Sequence, residues 1–293
     1  KYEKLTIKRG RKLDYLGMTF DFSTNGKVKI TMEGFINDLL LFCERAPGVA
    51  KTPAASNLFE VNTKSALLNT EDKKFYHSTV AKFLYLGKRV RPDLLTVVSF
   101  LSRRVQTPTE EDLKKLYRTI RYLRGSRDMG IALEPLKHVS LYAFIDASYG
   151  VHFDMRSQSG CVIGIGLGPI YAKSSAQKLN TKSSTESELV ALSDNTSQVI
   201  WCRNFLIAQG YEMAPAKIYQ DNMSTISMVA NGKSNSARTR HIAIRFFFVA
   251  DRVKNREIEI EYMNTGNMLA DILTKPLQGE LFLRLRKMLL NWN

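Results

Sequence analysis

The 293-residue chain is poor in the residues that staple or metallate small folds. Cys43, Cys161 and Cys202 are odd in number and widely spaced, with no Cys-x-x-Cys pair. That excludes a disulfide framework and a zinc ribbon, and it fits a reducing compartment. Histidine occurs only four times, too sparsely to supply a zinc site. No apolar run approaches the roughly 18 residues that suggest a membrane span, no signal peptide is recognisable, and no membrane partner is expected. The opening "KYEKLTIKRG" has no initiator methionine and reads as a strand at once, so a piece of a longer polypeptide is expected.

What is present in excess is positive charge. The formal net charge is +15 with a pI near 9.7, and a polyanionic partner accounts for such an excess most simply. Residues 1 to 135 carry 25 Lys+Arg against 15 Asp+Glu, whereas residues 136 to 293 carry 18 against 13. The length exceeds the usual single domain, so two are expected, 1–135 and 136–293.

The first half reads as a hairpin followed by helices. "KLDYLGMTFDFSTNGKVKITM" holds two alternating apolar runs around Thr24-Asn25-Gly26, a hairpin signal. Amphipathic spacing predicts helices over 33–44, 71–89, 93–105 and 109–124, the last opened by Thr109 with Asp112 three residues on and closed by Gly125. After Pro135 the character changes. "HVSLYAFIDASYG", "SQSGCVIGIG" and "GPIYAKS" read as strands, then a helix over 185–209, the strand "AKIYQDN", helices over 222–231 and 240–254, the strand "REIEIEYM", a short helix "NMLADILTK" and a terminal helix over 281–290. The first three strands are joined by links too short for parallel crossovers, so a mixed sheet flanked by helices is predicted.

Two of those strands end in aspartates, Asp146 and Asp221, where loops converge and ligands bind. Glu188 lies in the first turn of the helix between them, and Asp271 in the short helix after the last strand. Thr185-x-x-Glu188 and Ser183-x-x-Glu186 fit a capping box equally well. The helix face separates them: Glu188 lies beside the stripe of Leu189, Leu192, Thr196, Val199 and Ile200, and Glu186 points elsewhere. A glutamate turned towards the sheet must be paired or coordinated.

At these residues the chain resembles a known family. "FIDASYG", "SSTESELVAL", "QDN" and "ADILTKPL" are similar, in order and spacing, to the RNase H domain of copia-type LTR retrotransposon Pol polyproteins. "RSQSGCVIGIG", "IYAKSSAQK", "RTRHIAIRFFFV" and "TGNMLADILTKPLQGELF" extend the resemblance over 139–285. In the first half "YLGMTFD", "KTPAASN", "VAKFLYLGKRVRPDL" and "TIRYLRGSRDMGIAL" resemble the end of the reverse transcriptase, its thumb and connection-like segments. The resemblance implies an α/β, RNase H-like mixed five-stranded sheet flanked by helices, preceded by a hairpin and a mainly helical thumb/connection-like region. It implies metal-dependent hydrolysis of the RNA strand of an RNA·DNA hybrid, with Asp146, Glu188, Asp221 and Asp271 as catalytic and metal-holding acids. Two Mg²⁺ ions, replaceable by Mn²⁺, suit such oxygen ligands. The implied partners are the hybrid and upstream reverse transcriptase segments of the same polyprotein, in an intracellular, cytoplasmic setting that includes virus-like particles. Arg156, Arg238, Arg240, His241 and Lys275 are the expected phosphate contacts.

There are departures. The loop before the last aspartate, "MNTGN", lacks the histidine that many RNases H carry there, and Asp154 in "HFDMRSQSG" reads as a turn residue. No Tyr-x-Asp-Asp turn supplies polymerase aspartates, so the chain alone is expected not to extend a primer. An integrase or transposase reading is disfavoured because those sites run Asp, Asp, Glu, whereas Glu188 lies between Asp146 and Asp221. The remaining alternative is a catalytically silent RNA- or hybrid-binding fragment.

Overall fold

The computed structural model describes residues 7–231 and 240–292, and the side chains of Asn231, Arg240 and His241 are outside the description. The first half opens with strands β1 (Lys12–Tyr15), β2 (Met18–Asp21) and β3 (Val28–Thr31), antiparallel neighbours in that order. The Asn25-Gly26 hairpin expected from the sequence joins β2 to β3. The run before it folds back once more, at Leu16-Gly17, where φ is +49° and +76°. Positive φ at both central residues is what a two-residue hairpin loop of matching twist needs, and glycine tolerates it without strain.

Helices α1 (Glu33–Phe42), α2 (Thr70–Gly87), α3 (Leu95–Arg103) and α4 (Glu110–Arg124) follow. A 3₁₀ turn over Pro92–Leu94 precedes α3. The predicted capping box on α4 is present: Thr109 accepts from the amide of Asp112, and Asp112 accepts from the amide of Thr109 at 2.9 Å. Strand β4 (Ile131–Pro135), which periodicity did not reveal, pairs antiparallel with β3. Five residues with a single polar side chain give too short a pattern to distinguish from a loop.

The second half builds the mixed five-stranded sheet with flanking helices. Strands β5 (Tyr142–Ser148), β6 (Gln158–Gly164), β7 (Gly166–Leu167) and β8 (Tyr171–Ala176) come first. Of these β5, β6 and β8 form an antiparallel meander, and β7 leaves it to pair with β4. The long helix α5 (Ser184–Ala208) carries the chain back so that β9 (Ala216–Gln220) lies parallel to β5. Helices α6 (Met223–Asn231) and α7 (Arg240–Lys254) make a second crossover, which sets β10 (Ile258–Tyr262) parallel to β9. The order β10-β9-β5-β6-β8 follows from link lengths: short links give antiparallel neighbours, helical ones parallel neighbours. The expected short helix near residue 270 is a 3₁₀ turn, Leu269–Leu273, and α8 (Gly279–Leu290) ends the fold.

Alternation along the strands sends side chains to two cores. Ala143, Ile145, Ala147, Cys161 and Ile163 pack with Leu189, Leu192 and Val199 of α5 and Phe246 of α7. Phe144, Val162 and Ala172, from the intervening positions, pack into the core of the first half together with Leu273, Phe282, Leu285 and Leu289. Every residue of β6 is buried, as expected for a strand covered on both faces.

A buried ion pair ties the first half together and reaches α8. Arg91 donates to both oxygens of Asp93 at 3.0 and 2.8 Å, with both side chains fully enclosed, and to the carbonyl of Ser126 at 2.8 Å. The Tyr122 hydroxyl donates to Asp93 at 2.6 Å and accepts from Arg286 of α8 at 3.2 Å. Removing one partner leaves a buried charge without compensation. Asp93→Asn is therefore expected to cost about 3–5 kcal/mol of stability, measured as a fall in the urea midpoint.

Candidate metal centre

Asp146 shares the face of β5 that carries Phe144, and it is 1% exposed. Its Oδ2 accepts from the hydroxyl of Thr274, at the end of the 3₁₀ turn. Glu188 arrives from the start of α5. There Ser183 accepts from the amide of Glu186 at 3.2 Å, and the Glu186 carboxylate accepts from the amide of Lys182 at 2.8 Å. The helix start is thus closed by Ser183 and Glu186, and Glu188, 5% exposed, is left to face the sheet. Asp221 follows β9 directly and accepts from the Thr265 hydroxyl at 2.9 Å.

These three acids come from separate segments, and one carboxylate oxygen from each lies within 4.8 Å of the others. Asp271, 3% exposed, is outside that trio but adjoins it through a shared cation. Lys275 Nζ is 2.7 Å from Asp271 Oδ1 and 3.8 Å from Asp146 Oδ2.

Two further residues hold the arrangement, and neither was singled out in the sequence. Gln220 donates to Glu188 at 3.2 Å and accepts from the amides of Asp221 and Asn222 at 2.8 and 3.1 Å, so one side chain orients two segments of the trio. Its signal was the alternation of β9: Ala216 and Ile218 point inward, so Gln220 must too. Gly160 stands opposite Asp146 in register. A Cβ there would lie 2.8–2.9 Å from Thr274, Ala270 and Leu273, so only glycine lets the Asp271 turn rest on β6.

Burial raises the pKa of all three enclosed acids. Glu188 is carried well above the ordinary range by burial, then by the charges of Asp146 and Asp221. Asp271 reaches about 7, from burial and then Asp146. Asp146 is raised by burial, opposed by Lys275 and Thr274. Burial opposes the charge on Lys275, but Asp146 and Asp271 raise its pKa nonetheless. A set of carboxylate oxygens without nitrogen or sulfur donors, crowded enough to repel, fits a hard divalent cation, which would relieve that repulsion.

The expected phosphate contacts distribute differently. Lys275 lies within the acidic cluster. Arg156 pairs at 3.3 Å with Asp154, which Arg103 also holds at 2.7 Å, so Asp154 is the turn residue its sequence suggested. Arg238 and the side chains of Arg240 and His241 lie outside the described residues.

Acids with raised pKa favour folding while protonated. Their contribution is lost as pH rises from the ordinary carboxylate range through about 7 for Asp271. In metal-free buffer Glu188→Gln is therefore expected to melt at a higher temperature than the parent chain at pH 8. The gap should close towards pH 5, and the rise in Tm with added divalent cation should shrink. Gly160→Ala is expected to cost about 1–3 kcal/mol and to weaken divalent-ion binding, read by the same melts with and without cation.

No protein-family model matches the chain. Among curated proteins it is 35% identical, over 213 residues, to the retrovirus-related Pol polyprotein from transposon RE1 of Arabidopsis thaliana, covering 72% of this chain and 14% of that protein. It is 27% identical over 259 residues to the corresponding protein from transposon TNT 1-94 of Nicotiana tabacum, covering 86% of this chain and 19% of that one. The chain thus spans a small fraction of the relatives it matches. Among solved structures, that of the foamy viral protease-reverse transcriptase in complex with RNA/DNA hybrid overlaps 87% of this chain and 29% of its own, at 11% identity and a TM-score of 0.47. At that score the overlap adds nothing to what the sheet order shows by itself.

Proposed function

The chain is a relative of the Pol polyproteins of copia-type LTR retrotransposons, and from that kinship we propose that it hydrolyses the RNA strand of RNA·DNA hybrids with two Mg²⁺ ions, which Mn²⁺ can replace. The observation that carries the proposal is the convergence of Asp146, Glu188 and Asp221 within 4.8 Å, drawn from three segments in the chain order Asp, Glu, Asp. That order matches the RNase H resemblance and differs from an integrase's.

In this reading Asp146, Glu188 and Asp221 hold the ions, and Asp271 completes the set. Bound there, the ions would activate the attacking water and neutralise charge on the scissile phosphate. The protein's own part is pre-organisation. Gln220 fixes Glu188 against the start of the Asp221 loop, Thr274 fixes one oxygen of Asp146, and Lys275 offsets part of the negative charge. The Thr265 hydroxyl on Asp221 Oδ2 limits the freedom of the most open acid.

Residues 136–293 form the nuclease unit in this proposal, and residues 1–135 the thumb/connection-like unit that grips the duplex. The basic excess of the first half suits contact with phosphates, which needs no base sequence. Upstream reverse transcriptase segments of the same polyprotein are the proposed intramolecular partner, since the matched relatives are several times longer.

The test is incubation of the purified chain with end-labelled RNA·DNA hybrid, with and without Mg²⁺. Cleavage confined to the RNA strand and dependent on the cation is expected. Asp146→Asn should reduce it more than the roughly hundredfold that loss of an outer-shell partner causes. Hybrid binding without cleavage would make the chain a silent binding fragment. Undiminished cleavage by Asp146→Asn would place the chemistry elsewhere.

A further inference from the structure

Helix α3 belongs to the first half of the chain, but it lies against the turn that carries Asp271. Thr96, 5% exposed, donates its hydroxyl to the carbonyl of Ile272 at 2.6 Å. Ile272 is the residue after Asp271, so this bond grips the acid's own turn from outside the nuclease sheet. The next carbonyl, that of Leu273, accepts from Ser174 of β8. Ser174 in turn accepts from Gln158 Nε2 at 2.7 Å, and the same nitrogen reaches Ser99 of α3 at 3.1 Å. Ser99 is three residues after Thr96, on the same face of the helix. Gln158 Oε1 meets His152 Nε2 at 2.8 Å, and the His152 ring packs against Phe59 and Phe100 of the first half.

Consecutive carbonyls of one short turn are therefore held by two hydroxyls, one from α3 itself and one from β8 that is linked to Ser99 of α3 through Gln158. The turn cannot move away from β6 without breaking them, and it cannot move closer because Gly160 already brings it into contact. Its position over Asp146 is fixed between the sheet and α3. A 3₁₀ turn has poorer hydrogen-bond geometry of its own than an α-helix, so outside partners count for more.

We propose that Thr96 is a positioning residue for the acidic cluster, through which the first half of the chain sets the placement of Asp271 and transmits any displacement of α3 to the metal-holding acids. The consequence for catalysis rests on the nuclease reading. The mechanical part does not, because it concerns one buried carbonyl and its donor. Thr96→Val keeps the shape and removes the donor, leaving the Ile272 carbonyl unsatisfied where water does not reach. Thr96→Ser keeps the donor.

The test compares the parent chain with Thr96→Val and Thr96→Ser in two measurements that do not need turnover. The first is amide hydrogen exchange of the segment 269–277 in metal-free protein. About tenfold faster exchange is expected in Thr96→Val, corresponding to the lower part of the ~1–3 kcal/mol cost of an unpaired buried acceptor, with recovery in Thr96→Ser. The second is Mn²⁺ titration followed by electron paramagnetic resonance, where half-saturation should rise several-fold in Thr96→Val and return in Thr96→Ser. If the chain cleaves hybrid, the Mg²⁺ requirement should shift by the same factor while KM for hybrid stays constant, a split that general destabilisation would not produce. Should Thr96→Val fail to fold, Ser99→Ala is measured in the same way, with faster exchange of the same segment expected. Parent-like exchange and Mn²⁺ binding in Thr96→Val would overturn the proposal, as would equal damage in Thr96→Ser. A parent chain that shows the expected exchange pattern but leaves hybrid intact would sink the nuclease reading and leave the mechanical coupling standing.

Discussion

Three carboxylates held within 4.8 Å of one another, those of Asp146 and Glu188 buried and that of Asp221 half-buried, repel strongly, and the rest of the second half can be read as the means of keeping them there. Each acid is delivered by a different element, so none can relax without moving a strand or a helix. Neutral side chains donate to them, Gln220 to Glu188, Thr274 to Asp146 and Thr265 to Asp221, while Lys275 donates to the adjoining Asp271 and lies 3.8 Å from Asp146. They restrain the carboxylates without relieving more than part of the repulsion, as the raised pKa values of Asp146, Glu188 and Asp271 record. Such a site is unfavourable to folding by itself and would become favourable were a cation to fill it.

Holding the acids in place requires a rigid platform, and the platform is a sheet whose strand β6 is buried on both sides. One face is covered by α5 and α7 of the same half, the other by the first half and α8. Each fully buried aliphatic side chain contributes about 1.5–3 kcal/mol, so the second covering is a substantial part of what keeps β6 and the Asp271 turn in register. The Arg91–Asp93–Tyr122–Arg286 chain of contacts adds direction to that apolar packing, fixing α8 at one orientation against the helices.

Much of this was legible beforehand because it is local. The placement of Asp221 just past a strand follows from alternation, the capping box of α4 from four adjacent residues, and the turning of Glu188 rather than Glu186 towards the sheet from helix geometry, whereas Asp146, expected at the end of its strand, lies inside β5, which runs on to Ser148. The structure adds that Ser183 and Glu186 close the helix start, which explains how both glutamates could fit one pattern while doing different things. What stayed hidden depends on neighbours distant in sequence. Strand β4 exists because β3 and β7 flank it, not because its five residues favour extension. The turn at Leu16-Gly17 was masked by a stronger signal at Asn25-Gly26 nearby. Gly160 looks like any strand glycine until the residues near 270 are seen resting on it, more than a hundred positions later.

The exchange of strand β7 into the first sheet, and of α8 into the first core, means that the two halves of the sequence are interleaved in space. A gene fragment ending or starting near Pro135 would strip β4 of a partner and leave Phe282, Leu285 and Leu289 facing solvent. Such a product would carry a greasy stripe and an open backbone edge, the combination that drives chains to stick to one another. In evolutionary terms, the two halves of the sequence cannot be shuffled as separate cassettes without first inventing a new cover for that surface.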